Sequence, residues 1–388
     1  MKKILVMAFI ITVNALYAQT TTSFLFHSDV LNEDRNIRIH LPKSFDSTNQ
    51  QQYPLTLVLD GEYLFYALMG VGEVLQTRNI IPESIVVGID QNYVVEGEKT
   101  ARWIDCSYDF KTGKIGSKAA KFKTFIDSEL VPFLVENYHV GPFKSIAGHS
   151  FTANYINFFL DGSLFNGFMA FSPYIPEPLE DSIEAGIQQV NRQMFYFLCT
   201  GENDLSGHIS QIKRQDTAIF KRVNNNNFHY DFKNYIGESH MSLTVRGASD
   251  ALSFMYSGFA PLYTLNNDSV LMKETDLIFY LEQRYKNMAS TYGISMPYRE
   301  DDITTIAWII EEQEDWDALR KIGVLTTKLF PESVYGYYML GLSEEKKNNL
   351  HAALAHYKAG YAKLGVDILN KSDFYVDIER VEKMIKEK

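Results

Sequence analysis

Three side chains in this 388-residue sequence stand in an order that suits nucleophilic acyl chemistry. Ser150 lies in KSIAGHSFTAN, Asp204 in LCTGENDLSGH and His240 in YIGESHMSL. A serine hydroxyl attacks a carbonyl only when a base takes its proton. An imidazole serves as that base when a carboxylate fixes its tautomer and steadies its charged form. Nucleophile, acid and base in this chain order form one of the known sequences of such a site.

Ser150 needs an exposed, sharp turn between a strand and a helix, and FKSIAG, HS and FTANYINFF read as strand, turn and helix. Thr152 stands where the G-x-S-x-G pattern has its second glycine, so the helix after the elbow is expected to pack around extra bulk. A serine at this place also suits a plain helix N-cap. Among nine histidines, His27 and His40 precede the nucleophile, His139 is in a loop, His149 is on the elbow, and His351 and His356 lie in helical repeats. His229 alternates along a strand, which leaves His208 and His240; His240 follows the last strand directly and is the preferred base. Asp204 is the first choice for the acid and Glu202 the second, since both follow the penultimate strand. An oxyanion hole takes two backbone N–H groups. Phe151 is expected to provide one, and Gly61 or Glu62 the other, Gly61 because glycine permits unusual backbone. This chemistry implies no metal and no cofactor.

The elements that would hold these residues alternate between strand and helix from Ile37 to about Leu262. NIRIHLP alternates like a half-buried strand, whereas YPLTLVLDG and SIVVGID are continuous apolar runs, as in strands covered on both faces. NGFMAFSP, MFYFLCTG and FHYDFKNYIG add further strands. Helical segments lie between them, including KAAKFKTFIDSELVPFLVENY. The predicted fold class is α/β: an alpha/beta-hydrolase with a mostly parallel central sheet, over residues 19–264. Residues 265–388 carry only helical periodicity. A 34-residue repeat pairs Ile303 with Tyr337, Ile306 with Leu340, Ala307 with Gly341, Trp316 with Leu350, Leu319 with Ala353 and Phe330 with Leu364. That period predicts an all-α tetratricopeptide-like domain, flanked by helices from DLIFYLEQRYKNMASTYG and SDFYVDIERVEKMIK.

The pieces DVLNEDRNIRIHLPKSF, YPLTLVLDGEYLF, SIVVGI, RWIDCSYDF, FIDSELVPFLVENY, SIAGHSF, FMAFSP, CTGEND and GESHMS occur in one order between residues 29 and about 262. In this order they resemble the esterase family of alpha/beta-hydrolases that contains esterase D, enterochelin esterases and many carbohydrate-ester hydrolases. The resemblance implies Ser150 as nucleophile, Asp204 as acid and His240 as base. The family writes the elbow G-H-S-F-G-G, and Thr152 and Ala153 depart from it. Arg102 and Asp105 match a family loop near the cleft, which implies a substrate-binding role for Arg102, with a structural salt bridge as the alternative.

Residues 1–18 have two lysines, an apolar run and a small residue at the expected cut after Ala18, which predicts an exported, periplasmic or secreted protein. The run is too short to span a bilayer. Net charge is −11; removing Lys2 and Lys3 leaves 35 basic and 48 acidic residues, or −13, which does not suit nonspecific nucleic-acid binding. Cys106 and Cys199 cannot form a zinc ligand set alone, and the sequence does not decide whether they pair. The resulting expectation is a serine carboxylic-ester hydrolase acting on a small siderophore, carbohydrate or short acyl ester. The alternative is a weakly active or inactive hydrolase-fold scaffold that binds a protein or peptide through its helical repeats.

Overall fold

The computed structural model describes residues 21–388 except 161, 222, 265–270, 272, 275 and 365–370. The expected leader, residues 1–18, lies outside the described residues. The chain divides into two compact units, Met1–Val71 with Glu83–Ala248, and Gly72–Pro82 with Ser249–Lys388.

The first unit is built on an eight-stranded sheet. In chain order its strands are β1 (Thr21–Ser28), β2 (Glu33–His40), β3 (Tyr53–Val58), β4 (Ile85–Ile89), β7 (Val140–His149), β8 (Gly167–Phe171), β9 (Met194–Asn203) and β10 (Phe228–Ser239). The short pair β5 (Val94–Glu96) and β6 (Lys99–Thr100) stands apart as its own ribbon. Across the main sheet the order is β1-β2-β4-β3-β7-β8-β9-β10. β1 pairs antiparallel with β2 and β2 antiparallel with β4, and every remaining neighbour pair is parallel.

This is the expected mostly parallel sheet, and its pattern follows from burial. All six residues of β3 and all five of β4 and β8 are buried, as strands covered on both faces require. β2 instead buries Ile37 and Ile39 and alternates, as read from NIRIHLP. β1 was not anticipated. Its Phe24 and Phe26 pack against Phe133 while Leu25 between them is 71% exposed, the alternation of an edge strand. The long helical segment before β7 is divided into Ser117–Phe125, one wider turn over Ile126–Leu130, and Val131–Tyr138. Its buried Phe122, Phe125 and Leu134 join Ile146 and Phe168 of the sheet in one core; burial of each such side chain stabilises by ~1.5–3 kcal/mol.

The second unit carries the expected helical C-terminal region: Leu277–Tyr292, Glu300–Glu312, Trp316–Leu329, Val334–Lys346, Leu350–Lys363 and Lys371–Lys386. Val334–Lys346 begins and ends 34 residues after Glu300–Glu312, and Leu350–Lys363 does the same relative to Trp316–Leu329. Local capping fixes several starts. Asp276 accepts from Phe279 N–H and Asp315 from Ala318 N–H, each at 2.9 Å. Asp302 is buried but answered, accepting from Leu262 N–H and Tyr285 Oη–H at 2.8 Å each.

Candidate active site

The carboxyl ends of β3, β7, β8 and β9 carry the residues of interest, as open parallel sheets place them. β7 ends at His149, and Ser150 turns sharply into the short helix Phe151–Tyr155 with φ 58° and ψ −115°. That left-handed φ on a residue with a Cβ costs on the order of 1–3 kcal/mol and is held by its surroundings. Ser150 N–H donates to Phe171 O at 2.8 Å, and Ser150 O accepts from Asn154 N–H. The expected longer helix stops at Tyr155 and tightens into a 3₁₀ turn over Ile156–Phe159.

Gly148 lets the elbow close. A Cβ there would lie 2.6 Å from the carbonyl carbon and oxygen of Thr152, so no larger residue fits without displacing backbone. Thr152 itself is buried and fully engaged. Its hydroxyl donates to Asp60 Oδ2 at 2.7 Å and accepts from His149 N–H at 2.8 Å. The extra bulk at the second glycine position is thus accommodated by a hydrogen bond across to the end of β3.

Asp60 is also the partner of Arg102. Arg102 Nε donates to Asp60 Oδ1 at 2.5 Å and its Nη2 donates to His149 O at 2.7 Å, with the side chain 13% exposed. Of the two readings given for Arg102, these contacts are those of the structural salt bridge, whose charge faces a buried carboxylate and braces the elbow. Asp105 has the same character: it receives two hydrogen bonds from Arg35 at 2.7 and 2.8 Å.

Asp204 and His240 do meet. His240 Nδ1–H donates to Asp204 Oδ1 at 2.6 Å. The same oxygen accepts from Leu205 N–H at 2.7 Å, while Oδ2 accepts from Ser172 Oγ–H at 2.6 Å and Thr200 Oγ1–H at 2.9 Å. Burial works against the charged carboxylate, but the bonds from His240, Ser172, Leu205 and Thr200 outweigh it, so its pKa falls below the ordinary aspartate range. Glu202, the second choice for the acid, points elsewhere and accepts from Gly237 N–H at 3.0 Å.

The rings of His149 and His240 stand 4.5 Å apart between centroids, which sets His240 beside the residue preceding Ser150. Ser150 is half-buried, and among the described residues no hydrogen bond joins its hydroxyl to His240. Phe151 N–H, at the first position of its helix, has no acceptor within that helix. Gly61 is a different matter. Its N–H donates to Ile89 O at 2.9 Å, so the expected oxyanion donor is already paired with β4. Nor does Gly61 take the unusual backbone, which falls on Asp60 with φ 57°. Gly61 is required for close approach, since a Cβ would lie 2.8 Å from Ile89 C and O. Of the two residues named for this donor, Glu62 is the one left.

Ser172 and Tyr63, which the sequence does not single out, join His208 and His149 around these residues. Ser172 (φ 48°) sits after β8, and His208 Nδ1–H donates to Ser172 O at 3.1 Å. Tyr63 and His149 form a second group: Tyr63 Oη lies 2.8 Å from His149 Nδ1, and His149 Nε2 lies 2.8 Å from His240 O. Burial, then the nearby His240, push the pKa of His149 down to about 4, so the ring is neutral. Asp204, His208 and His240 bring three potential metal-ligating atoms within 4.8 Å of one another. The hydroxyl of Ser172 lies among them, 2.6 Å from Asp204 Oδ2, 3.1 Å from His240 Nδ1 and 3.2 Å from His208 Nδ1. Cys106 and Cys199 are both buried free thiols and do not pair.

Residues 28–177 match the profile of the Esterase family, described as "Putative esterase", a span that includes Ser150 and stops short of Asp204 and His240. The uncharacterized protein YjcH of Bacillus subtilis (strain 168) is 22% identical over 224 residues, covering 55% of this chain and 88% of its own length. Solved structures share the fold. An uncharacterised protein from Capnocytophaga ochracea DSM 7271 superposes with a TM-score of 0.73 at 19% identity, over 94% of this chain and 100% of the other. An IroE-like serine hydrolase from Shewanella oneidensis superposes with a TM-score of 0.56 at 20% identity, over 76% and 95%. The unit that carries the elbow thus has the alpha/beta-hydrolase fold, with residues 28–177 similar to the Esterase family, and is followed in the chain by a helical region.

Proposed function

We propose that the protein is a serine carboxylic-ester hydrolase in which Ser150, His240 and Asp204 act together. The observation that carries this reading is the 2.6 Å bond from His240 Nδ1–H to an aspartate saturated with donors. With its proton on Nδ1, the imidazole keeps Nε2 free as the base. Ser150 Oγ attacks the ester carbonyl carbon as Nε2 takes its proton, and the alcohol leaves as Nε2 returns that proton. Water, deprotonated by the same nitrogen, then releases the acid from the acyl-enzyme. The N–H groups of Phe151 and Glu62 stabilise the oxyanion. The lack of a hydrogen bond between Ser150 and His240 is compatible with this chemistry, because such bonds tighten when substrate binds.

Trp103 packs against Phe151 with tilted rings whose centroids are 4.4 Å apart, and is 52% exposed, giving an apolar wall beside the elbow that suits a small ester with an apolar part. Residues 1–18 support export to the periplasm or beyond. Among the described residues no helix is long and apolar enough to cross a membrane. The 34-residue spacing of the C-terminal helices supports a tetratricopeptide-like array, a surface type that holds peptides or proteins.

Hydrolysis of short p-nitrophenyl esters, with a fluorophosphonate probe followed by peptide mapping, tests the reading. Turnover by the wild type, its loss in Ser150→Ala and covalent labelling at Ser150 are expected. Equal rates for both proteins with Ser150 unlabelled would overturn it.

A further inference from the structure

His149 and Tyr63 take no part in the proton transfers above, yet they form a continuous polar path to the catalytic loop. The direction of that path follows from chemistry. His240 O is a carbonyl and can only accept, so the atom facing it at 2.8 Å, His149 Nε2, carries the proton. The ring is neutral, so Nδ1 has a lone pair and accepts from Tyr63 Oη–H at 2.8 Å. Burial and the neighbouring Asp60 raise the pKa of Tyr63 above its ordinary value, which keeps that hydroxyl protonated.

The other groups around His149 enforce the same state. Arg102 Nη2 occupies its carbonyl at 2.7 Å, Thr152 Oγ1 its N–H at 2.8 Å, and the ring of His240 lies tilted with its centroid 4.5 Å from its own. Asp60 lies nearby, already paired to Arg102 and Thr152. A second positive charge on His149 would oppose the imidazolium that His240 becomes during turnover. His240 is itself held at its ring by Asp204 and Ser172 and at its carbonyl by His149.

We infer that Tyr63 and His149 are positioning residues: a Tyr63-to-His149-to-His240-carbonyl hydrogen-bond relay that sets the loop bearing the base over the elbow. The inference rests on the triad reading for its kinetic consequence but not for its structural content. The relay links the end of β3, through the residue before the nucleophile, to the residue that deprotonates it, so nucleophile and base are registered against each other by backbone-anchored contacts.

The test has two arms on the full-length protein. In the first, p-nitrophenyl ester kinetics are compared for His149→Leu, His149→Gln and Tyr63→Phe. Displacement of a reacting group by about 1 Å lowers turnover about a hundredfold. His149→Leu is therefore expected to lower kcat about tenfold to a hundredfold with KM within about twofold. The amide N–H of glutamine can reach His240 O, so His149→Gln is expected to return to within about threefold of wild type, and Tyr63→Phe to fall between the two. Gln no better than Leu, or a loss confined to KM, would overturn the proposal. In the second arm, long-range proton–nitrogen NMR of the histidine rings in the wild type reads the tautomer at pH 7. A neutral His149 with its proton on Nε2 is expected; a proton on Nδ1 or a charged ring overturns the relay. This arm stands even if Ser150 proves inert or the leucine variant does not fold, so a failed relay and a failed esterase reading give different results.

Discussion

Thr152→Val removes one hydroxyl from the elbow while keeping its shape, and the cost can be worked from the contacts it leaves. The hydroxyl donates to the buried Asp60 at 2.7 Å, a charge-assisted bond that contributes about 1.5–3 kcal/mol. It also accepts His149 N–H at 2.8 Å, and an N–H left buried without an acceptor costs about 1–3 kcal/mol. Asp60 retains Arg102, so the carboxylate is not left bare and the lower ends of both ranges apply. The sum is about 2.5 kcal/mol, and for a unit of this size each kcal/mol moves Tm by roughly 2–4 °C, so a fall of about 5–10 °C is expected. Thr152→Ser keeps the hydroxyl and removes only a methyl, for about 1 kcal/mol and a fall of roughly 2–4 °C. Thermal unfolding of the three proteins gives the order, and hydrogen exchange across the elbow should show His149 N–H opening faster in the valine variant alone. A valine variant as stable as wild type, or less affected than serine, would refute the view that threonine is bonded into this site rather than merely tolerated.

Asp204→Asn is expected to lower kcat about 10³–10⁴-fold by disturbing the histidine tautomer, whereas Glu202→Gln should stay within about twofold, because Glu202 bonds Gly237 N–H and not His240; steady-state ester hydrolysis separates them. Stability should fall with acid in a window set by His149. Its pKa drops from 6.5 to about 4 on folding, so between those values the unfolded chain binds a proton that the folded chain does not, and stability declines as pH falls through the window, by about 3 kcal/mol in all. Above about 6.5 the contribution is flat. Asp204, whose pKa is depressed on folding, contributes stability at every pH above about 4 and loses it only below. Urea unfolding at successive pH values should therefore show a shallower decline between 6.5 and 4 for His149→Gln than for wild type.

The site was legible where chain order alone carries the information. Ser150, Asp204 and His240 each follow a recognisable strand, and the apolar runs of β3, β4 and β8 identify themselves by having no polar alternation. Roles that depend on which atoms are already paired were not legible. Gly61 and Glu62 look alike as donors until β4 is seen to accept from the first. Arg102 reads equally as a substrate-binding cation or as half of a structural salt bridge until Asp60 is placed against it. His149 was set aside because it belongs to the elbow, yet its neighbours Tyr63 and His240 are 86 and 91 positions away in the chain, so no local pattern could show the contact. β1 carries a usable signal in Phe24 and Phe26, obscured by its closeness to the apolar N-terminal run.

The cluster of Thr152, Asp60, Arg102 and His149 has a consequence for how this chain can change. Each member serves at least two others, so replacements among them will not combine additively. Restoring glycine at position 152 would leave Asp60 with a vacant acceptor and His149 N–H without its partner. Glycine and threonine at position 152 are thus not interchangeable alternatives in this chain: a glycine there is expected to cost more stability unless position 60 changes with it.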